Sequence, residues 1–184
     1  MAVDDFSISW DAPIAPSVSL GGIPLGAGVR VLEHVLSRYV VDEDLLLYKF
    51  ERGPLLRLTW HGFEECTGAG GYSFSIFNEG GIKEECAIYI MLRAHEVYAI
   101  KVYGLGFTSE DIRRFSYKGV LPCGVGLGAL VVGLLPFANL EFDSAEEWFY
   151  GGGGYDGLEV SGWGVRLEDE PDQIITAMCV IPGG

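Results

Sequence analysis

The hexapeptide Gly22-Ile23-Pro24-Leu25-Gly26-Ala27 constrains the fold most, because a related hexapeptide, Gly124-Val125-Gly126-Leu127-Gly128-Ala129, returns 102 residues later. Each copy leads into an apolar segment of helical character. Each half of the chain then finishes on an apolar, strand-like run, at 97–102 and at 174–181. Self-similarity at a fixed spacing is the sequence signature of a repeated structural unit. We therefore predict two related halves.

The first half is predicted to contain an extended lead-in over residues 1–21 and a helix from Gly26 or Ala27 to Tyr39. Five strands follow at 45–50, 55–60, 72–77, 86–92 and 96–103, where β-branched and aromatic residues are enriched between turn-forming clusters. Short connections between strands favour antiparallel pairing. The apolar residues of the helix recur at helical spacing and would bury one side of it: Val29, Leu32, Val35, Leu36 and Tyr39.

The second half is predicted to contain a shorter helix that Pro136 ends, and strands at 140–142, 147–150, 158–163, 165–167 and 174–181. Trp163 is expected in the core. A capping pattern at 108–111 predicts a short helix over 109–115 that bridges the two halves.

The predicted fold class is α+β, with two tandem repeats, each a helix packed on an antiparallel β-sheet. A single compact unit is expected over residues 1–184, with a first repeat and N-terminal extension at 1–107, a linker helix at 108–121 and a second repeat at 122–184. Because each half alone buries little apolar surface, we expect the two sheets to join or abut and to leave a concave face opposite the helices.

The formal net charge of −14 indicates the kind of partner this chain attracts. A field of this sign repels nucleic acid and anionic membranes and draws in basic partners. No run approaches the ~20 apolar residues of a membrane span, and the N-terminus lacks the basic-then-apolar pattern of an export signal. The four cysteines are widely spaced, as expected of buried thiols in a reducing compartment. We expect a cytoplasmic protein that binds neither nucleic acid nor membrane.

Motifs for catalysis or for a cofactor are weak. The segment 124–129 fits the dinucleotide pattern G-x-G-x-x-A, but no parallel strand precedes it, and the first copy has Pro24 where the second glycine belongs. The three histidines share no metal-ligand spacing, and no nucleophile elbow or calcium loop is present. A triad assembled only in the fold stays open. We predict no catalytic, cofactor-binding or metal-binding residues, and expect that the chain is not an enzyme.

Carboxylates cluster in predicted turns and at strand ends, and several clusters adjoin aromatic residues. Such neighbours suit the binding of a basic protein surface, because rings supply buried area and carboxylates supply steering and ion pairs. The alternative is solvated charge beside core aromatics. The predicted partner-binding residues are Glu146, Glu147, Trp148, Tyr150, Tyr155, Asp42, Glu43 and Asp44.

A resemblance agrees with this interpretation. The pattern Ser9-Trp10, Pro13 and Ser19-Leu20-Gly21-Gly22-Ile23-Pro24-Leu25-Gly26 before a helix, with a second glycine segment at 124–128, resembles immunity proteins encoded beside bacterial antibacterial toxins. The predicted helix-then-sheet repeat is also similar to the tandem halves of β-lactamase inhibitory protein and the related outer-membrane assembly lipoprotein fold. This sequence lacks the secretion signal and paired cysteines of that inhibitor, so β-lactamase inhibition is not implied.

The resemblance implies an immunity protein that neutralises a cognate, cytoplasm-acting toxin by steric and electrostatic blocking. A nuclease is the favoured toxin class, because its cleft must be basic to hold phosphates. Two other classes stay open: a non-inhibitory adaptor or scaffold module, and an enzyme or small-ligand-binding protein that uses the concave face. A homodimer through an unpaired sheet edge also stays open.

Overall fold

The computed structural model describes residues 5–77, 86–104 and 115–184. These ranges contain one α-helix, α1 (Val29–Ser37), and one short 3-10 helix, Val131–Leu134. The strands are β1 (Ser19–Leu20), β2 (Ile23–Pro24), β3 (Val40–Asp42), β4 (Leu47–Tyr48), β5 (Leu56–Glu64), β6 (Ala69–Ile76), β7 (Cys86–Arg93), β8 (Glu96–Tyr103), β9 (Asn139–Asp143), β10 (Trp148–Gly152), β11 (Leu158–Ser161) and β12 (Ala177–Val180).

Ten of these strands form one sheet, in the order β3-β4-β5-β6-β7-β8-β12-β11-β10-β9, and β1 and β2 form a separate hairpin. Neighbouring strands of the large sheet are antiparallel throughout. The two halves of the chain meet where β8 pairs with β12, with Val102 opposite Met178. The strand that comes last in the chain therefore lies inside the sheet, between β8 and β11.

The predicted α+β fold with two tandem repeats, each a helix packed on a sheet, is wrong. The structure is mostly β, with 42% strand and 8% helix, and has one large antiparallel sheet. The second predicted helix is only the 3-10 helix Val131–Leu134, because Gly133 is a poor helix former and Pro136 stops extension. The run 165–167, predicted as a strand, has no strand structure and ends at the start of a turn. The helix predicted over 109–115 falls almost entirely outside the described residues.

The two glycine segments nevertheless make equivalent backbone hydrogen bonds. The N–H of Gly26 donates to the carbonyl of Val97 at 2.8 Å, and the N–H of Gly128 donates to the carbonyl of Ile175 at 2.9 Å. Both glycines have a left-handed backbone, with φ of 77° and 81°. Residues with a Cβ rarely adopt this conformation, which explains why glycine recurs at both positions. The sequence repeat therefore marks two turns of one kind.

The core covers one face of the sheet. A continuous row of apolar side chains crosses eight strands on this face: Leu58, Phe74, Ile88, Val102, Met178, Val160, Phe149 and Phe142. Helix α1 contributes the buried residues Leu32, Val35 and Leu36 to the same cluster, and the lead-in contributes Ile8 and Trp10. Burial of apolar surface stabilises by about 25 cal/mol per Å². This shared core joins the two halves of the sheet.

Candidate protein-binding surface

The face of the sheet opposite the core carries a polar and aromatic row. Successive side chains of a strand point to opposite faces, so the residues adjacent in sequence to the core row lie on this second face. On β5, a register shift between Leu58 and Trp60 places Trp60 in the second row. Directly opposite one another on successive strands lie Trp60, Ser73, Tyr89, Lys101, Cys179, Glu159, Tyr150 and Glu141.

One end of this face combines aromatic rings with carboxylates, and we call it the acidic-aromatic surface. Trp148 lies opposite Asp143 in the β9–β10 pair, and Tyr150 lies between Glu141 and Glu159. Trp148 and Tyr150 are half-buried and lie outside the core cluster. The surface consists of Glu141, Asp143, Glu146, Glu147, Trp148, Tyr150 and Glu159.

The turn between β9 and β10 holds its acidic residues in a defined conformation. The carboxylate of Asp143 accepts hydrogen bonds from the N–H groups of Ala145 at 2.7 Å and Glu146 at 3.3 Å. The carbonyl of Asp143 accepts from the N–H of Glu147 at 2.8 Å. Within the described residues, no ion pair involves Glu146 or Glu147, and both are exposed. Asp143 therefore shapes the turn, and the next two carboxylates face solvent.

Lys101 places a cation against Trp148. Its Nζ atom lies 4.1 Å from the centroid of the Trp148 ring, within the ~6 Å range of a cation–π interaction. Lys101 lies on β8 and Trp148 on β10, so the two side chains together span β12 and β11. The contact fixes the position of the indole ring on the sheet face.

The carboxylates of this surface act together on Tyr150. Burial raises the pKa of its hydroxyl above the usual value, and the negative charges of Glu159, Asp143 and Glu146 raise it further. The hydroxyl is therefore neutral and able to donate a hydrogen bond at physiological pH. These negative charges disfavour an anionic Tyr150, but they would attract a cationic group of a partner that approached it.

A second acidic segment, residues 162–172, lies beside this surface. Its backbone is held by Gln173, which is fully buried. The side-chain oxygen of Gln173 accepts from the N–H of Trp163 at 3.0 Å, and its amide nitrogen donates to the carbonyls of Glu170 at 2.9 Å and Val165 at 3.1 Å. A Cβ atom at Gly164 would lie 2.9 Å from the carboxylate of Glu147. Glu168, Asp169 and Glu170 of the same segment are exposed.

The structure brings together four of the eight predicted partner-binding residues, namely Glu146, Glu147, Trp148 and Tyr150. Tyr155 lies apart from them, in the turn after β10. It packs against the edge of the core, where its hydroxyl meets the thiol of Cys123. Its ring is therefore directed toward the other side of the sheet.

The other acidic cluster, Asp42, Glu43 and Asp44, lies at the opposite edge of the sheet. β3, which ends at Asp42, is the first strand in the sheet order and β9 is the last. Adjacent strands are about 4.8 Å apart, so nine such spacings separate the two edges along the sheet. The carboxylate of Asp42 accepts a hydrogen bond from the N–H of Leu45 at 2.9 Å and caps its own turn. The two predicted acidic clusters are therefore separate surfaces.

Three residues of the acidic-aromatic surface, namely Glu141, Asp143 and Glu159, were not predicted as partner-binding, and neither was the adjoining Lys101. The available signal was the alternation of apolar and acidic residues in Leu140-Glu141-Phe142-Asp143 and in Leu158-Glu159-Val160. A period of two places the carboxylates on the face opposite the core. No local pattern shows that Lys101 joins them, because that contact depends on the pairing of β8 with β12.

Two further features of the described residues are the buried thiols and the arrangement of the possible metal ligands. Burial raises the pKa of both thiols beside Lys101, that of Cys179 to about 12, so neither Cys86 nor Cys179 is a thiolate at neutral pH. No group of three or more His, Cys, Asp or Glu residues in the described ranges is arranged to hold a metal ion. Across the same ranges, no helix has the length and apolar character needed to cross a membrane.

The second glycine segment borders a cavity of about 600 Å³, together with Ser116, Tyr117 and Lys118. Its glycines do not form a dinucleotide site of the usual kind. The N–H of Gly124 donates to the carbonyl of Leu121 and the N–H of Gly128 to that of Ile175, so neither is available to a phosphate. The segment leads into a 3-10 helix of four residues and lacks the long helix whose N-terminus would face a pyrophosphate.

Comparison with protein-family models, with curated proteins and with solved structures gives no match for this chain.

Proposed function

We propose that this protein is a cytoplasmic immunity protein that binds a basic antibacterial toxin through the acidic-aromatic surface and blocks it. One observation carries the proposal: Trp148 and Tyr150 lie side by side on a sheet face, among five carboxylates. A net charge of −14 attracts a basic partner over longer distances. A nuclease is the favoured toxin class, because its substrate cleft must be basic.

The two kinds of side chain have different roles in this proposal. Trp148 and Tyr150 supply the apolar area of the contact, and tryptophan and tyrosine are frequent hot spots at protein interfaces. Glu146 and Glu147 supply the fast, oriented encounter and pair with Lys or Arg of the toxin. Inhibition follows from occupation of the toxin's cleft and needs no turnover by this protein.

The first experiment is co-expression with the product of the adjacent reading frame in a bacterium, with survival and co-purification as readouts. The expected result is rescue from a lethal neighbour together with a stable complex. A harmless neighbour, or cell death despite good expression of this chain, contradicts the proposal. A complex that forms while the partner's activity is unchanged indicates an adaptor instead.

The surface itself is tested by a matched pair of charge reversals. The double variant Glu146→Lys/Glu147→Lys is expected to slow association and weaken binding by about tenfold or more, since it replaces attraction by repulsion at the contact. Glu43→Lys/Asp44→Lys changes the net charge equally at the opposite edge of the sheet and serves as the control. Equal effects of the two double variants would show that only net charge matters, and would remove this surface from the proposal.

Salt separates this proposal from a small-ligand function that would use the cavity beside the second glycine segment. The association rate of an immunity complex is expected to fall as ionic strength rises, because salt screens the charges that steer the encounter. Binding of an uncharged ligand in the cavity would be nearly independent of salt.

A further inference from the structure

An open apolar groove lies on the core side of strand β9. Its volume is about 580 Å³. Leu135, in this groove, has 49% of its surface exposed. The charged residues that line the groove are Arg166, Glu168 and Glu141. The charges of Arg166 and Glu168 cancel, so the carboxylate of Glu141 gives the groove a net negative charge. The apolar lining residues are Val132, Leu135, Leu140, Phe142, Phe149, Leu167 and Pro171.

The backbone of β9 is available for pairing. Among the described residues, β9 is the last strand of the sheet and has β10 as its one partner. In an antiparallel pair, alternate N–H and C=O groups of an edge strand point away from the sheet. Among the described residues, no backbone hydrogen bond joins residues 139–142 to a segment other than β10. Such an edge, with a groove beside it, is the arrangement to which an extended peptide adds as a further strand.

We propose that an extended segment of a basic partner pairs with β9 and becomes the eleventh strand of the sheet. Leu140 and Phe142 lie on the groove side of β9, and Glu141 and Asp143 lie on the opposite side. Side chains of paired residues lie about 5 Å apart, so the added strand alternates between the same two sides. The segment therefore carries apolar residues in the groove and Lys or Arg beside Glu141 and Asp143. This inference rests on the proposed function and specifies its binding mode.

Charge favours this occupant over a second copy of the chain. Two β9 strands paired antiparallel would bring the carboxylates of Glu141 and Asp143 of one copy against those of the other. Like charges on directly opposed positions destabilise a sheet, and a charge of −14 on each chain adds repulsion at longer range. A segment with alternating basic residues replaces both repulsions by attraction.

The test uses the full chain and a synthetic peptide of four Val-Lys repeats, blocked at both ends. Amide hydrogen exchange of the protein is measured by NMR with and without saturating peptide. We expect exchange to slow by at least about tenfold at alternate amides of 139–143, because these donors gain partners in the added strand. The matched peptide of four Val-Glu repeats is expected to give no protection.

Two variants separate the groove from general apolar attraction. Leu135→Asp, in the groove, is expected to abolish protection of β9 by the Val-Lys peptide. Val41→Asp changes an exposed apolar residue of the opposite edge strand, β3, and is expected to leave protection unchanged. Absence of binding, protection of β3 in place of β9, equal binding of the Val-Glu peptide, or protection of β9 in a dimer without peptide would each overturn the inference.

The peptide experiment and the rescue experiment fail independently. Protection of β9 without neutralisation of a toxin would keep the strand-addition site and reject the immunity function. Neutralisation of a toxin, with the β9 amides still exchanging rapidly in the complex, would keep the immunity function and reject strand addition.

Discussion

The ammonium group of Lys101 lies 4.1 Å from the ring centroid of Trp148, although β12 and β11 separate the strands that carry these two residues. The contact crosses the face of the sheet that is opposite the core. It fixes an aromatic ring that the proposed function uses as an anchor. A ring already held in position loses less side-chain freedom when a partner binds.

A double-mutant cycle measures this contact. Lys101→Met and Trp148→Leu, alone and combined, are expected to show a coupling energy of about 0.5–2 kcal/mol in the free energy of unfolding, the range of cation–π pairs. Urea denaturation provides the four values. The control cycle pairs Lys49→Met with Trp148→Leu, because Lys49 follows β4 near the other edge of the sheet. Coupling in the control cycle, or none between Lys101 and Trp148, contradicts the prediction.

Gln173 is expected to hold the acidic segment 162–172 in place. Replacement by alanine removes a fully buried amide and its hydrogen bonds to Trp163, Val165 and Glu170. Leaving such buried groups without partners costs about 1–3 kcal/mol for each group. Gln173→Ala should lower the urea midpoint and speed proteolytic cleavage within 162–172. Asp172→Ala, at an exposed neighbour, should do neither; an unchanged midpoint for Gln173→Ala would show that the segment is held by other contacts.

Tyr117 is expected to anchor the N-terminal lead-in. Its hydroxyl donates a hydrogen bond to the carbonyl of Ala12 and accepts one from the N–H of Gly21 at 3.0 Å. Tyr117→Phe keeps the ring but leaves both backbone groups without this partner, so a loss of about 1–3 kcal/mol is expected in the free energy of unfolding. Tyr98→Phe removes a hydroxyl that has no hydrogen bond within the described residues and is the control. Equal stability of the two variants would refute the anchoring role.

Stability is expected to decrease at alkaline pH. Burial raises the pKa of Tyr103 to about 12 and raises those of Tyr72 and Tyr117 as well, against about 10 in the unfolded chain. Because the pKa values of these tyrosines are higher in the folded chain than in the unfolded chain, the neutral phenols contribute fully to stability below pH 10. That contribution is lost as pH rises through the folded-state pKa values. The free energy of unfolding should therefore fall between pH 10 and 12, and less steeply in Tyr103→Phe. Native phenols that titrate near pH 10 would contradict this.

The two copies of the glycine segment are expected to tolerate alanine differently. Gly22 and Gly124 have φ of 80° and 83°, so alanine is strained at both by about 1–2 kcal/mol. A Cβ atom at Gly22 would also overlap the carbonyl oxygen of Ser7, whereas a Cβ at Gly124 meets no atom within 4 Å. Gly22→Ala should therefore destabilise by more than Gly124→Ala, with overpacking adding about 1–3 kcal/mol. Thermal unfolding of both variants checks the order.

Local pattern was enough to predict the five strands β4 to β8 of the first half, but not the short strands β1, β2 and β3. β8 was predicted at 96–103 and spans Glu96–Tyr103, and β7 was predicted at 86–92 and spans Cys86–Arg93. These two strands form a hairpin, so both partners lie within one short stretch of chain. The predicted tandem α+β repeat was wrong because the two halves are similar only in their glycine turns. The segments that follow these turns differ in structure. The residues after Leu130 cannot continue as an α-helix past Gly133 and Pro136.

The candidate surface was predictable only where its residues are neighbours in sequence. Glu146, Glu147, Trp148 and Tyr150 share one hairpin and therefore share one surface. Glu159 and Lys101 reach it through long-range strand pairing, which no local period encodes. Trp163 was expected in the core but is 52% exposed, because the buried side chain of Gln173 holds the backbone of its segment at the surface.

The position of β12 between β8 and β11 also determines when the protein can fold during translation. While the ribosome is still making residues 104–176, β8 is the unpaired edge of an incomplete sheet, and unpaired edges readily pair with other chains. Pairing of strands that are distant in sequence is slow compared with local hairpin formation. Only when residues 177–180 have emerged can the nascent chain bring Lys101 under Trp148. The acidic-aromatic surface, which is proposed to bind a toxin, therefore forms only after residues 177–180 have emerged.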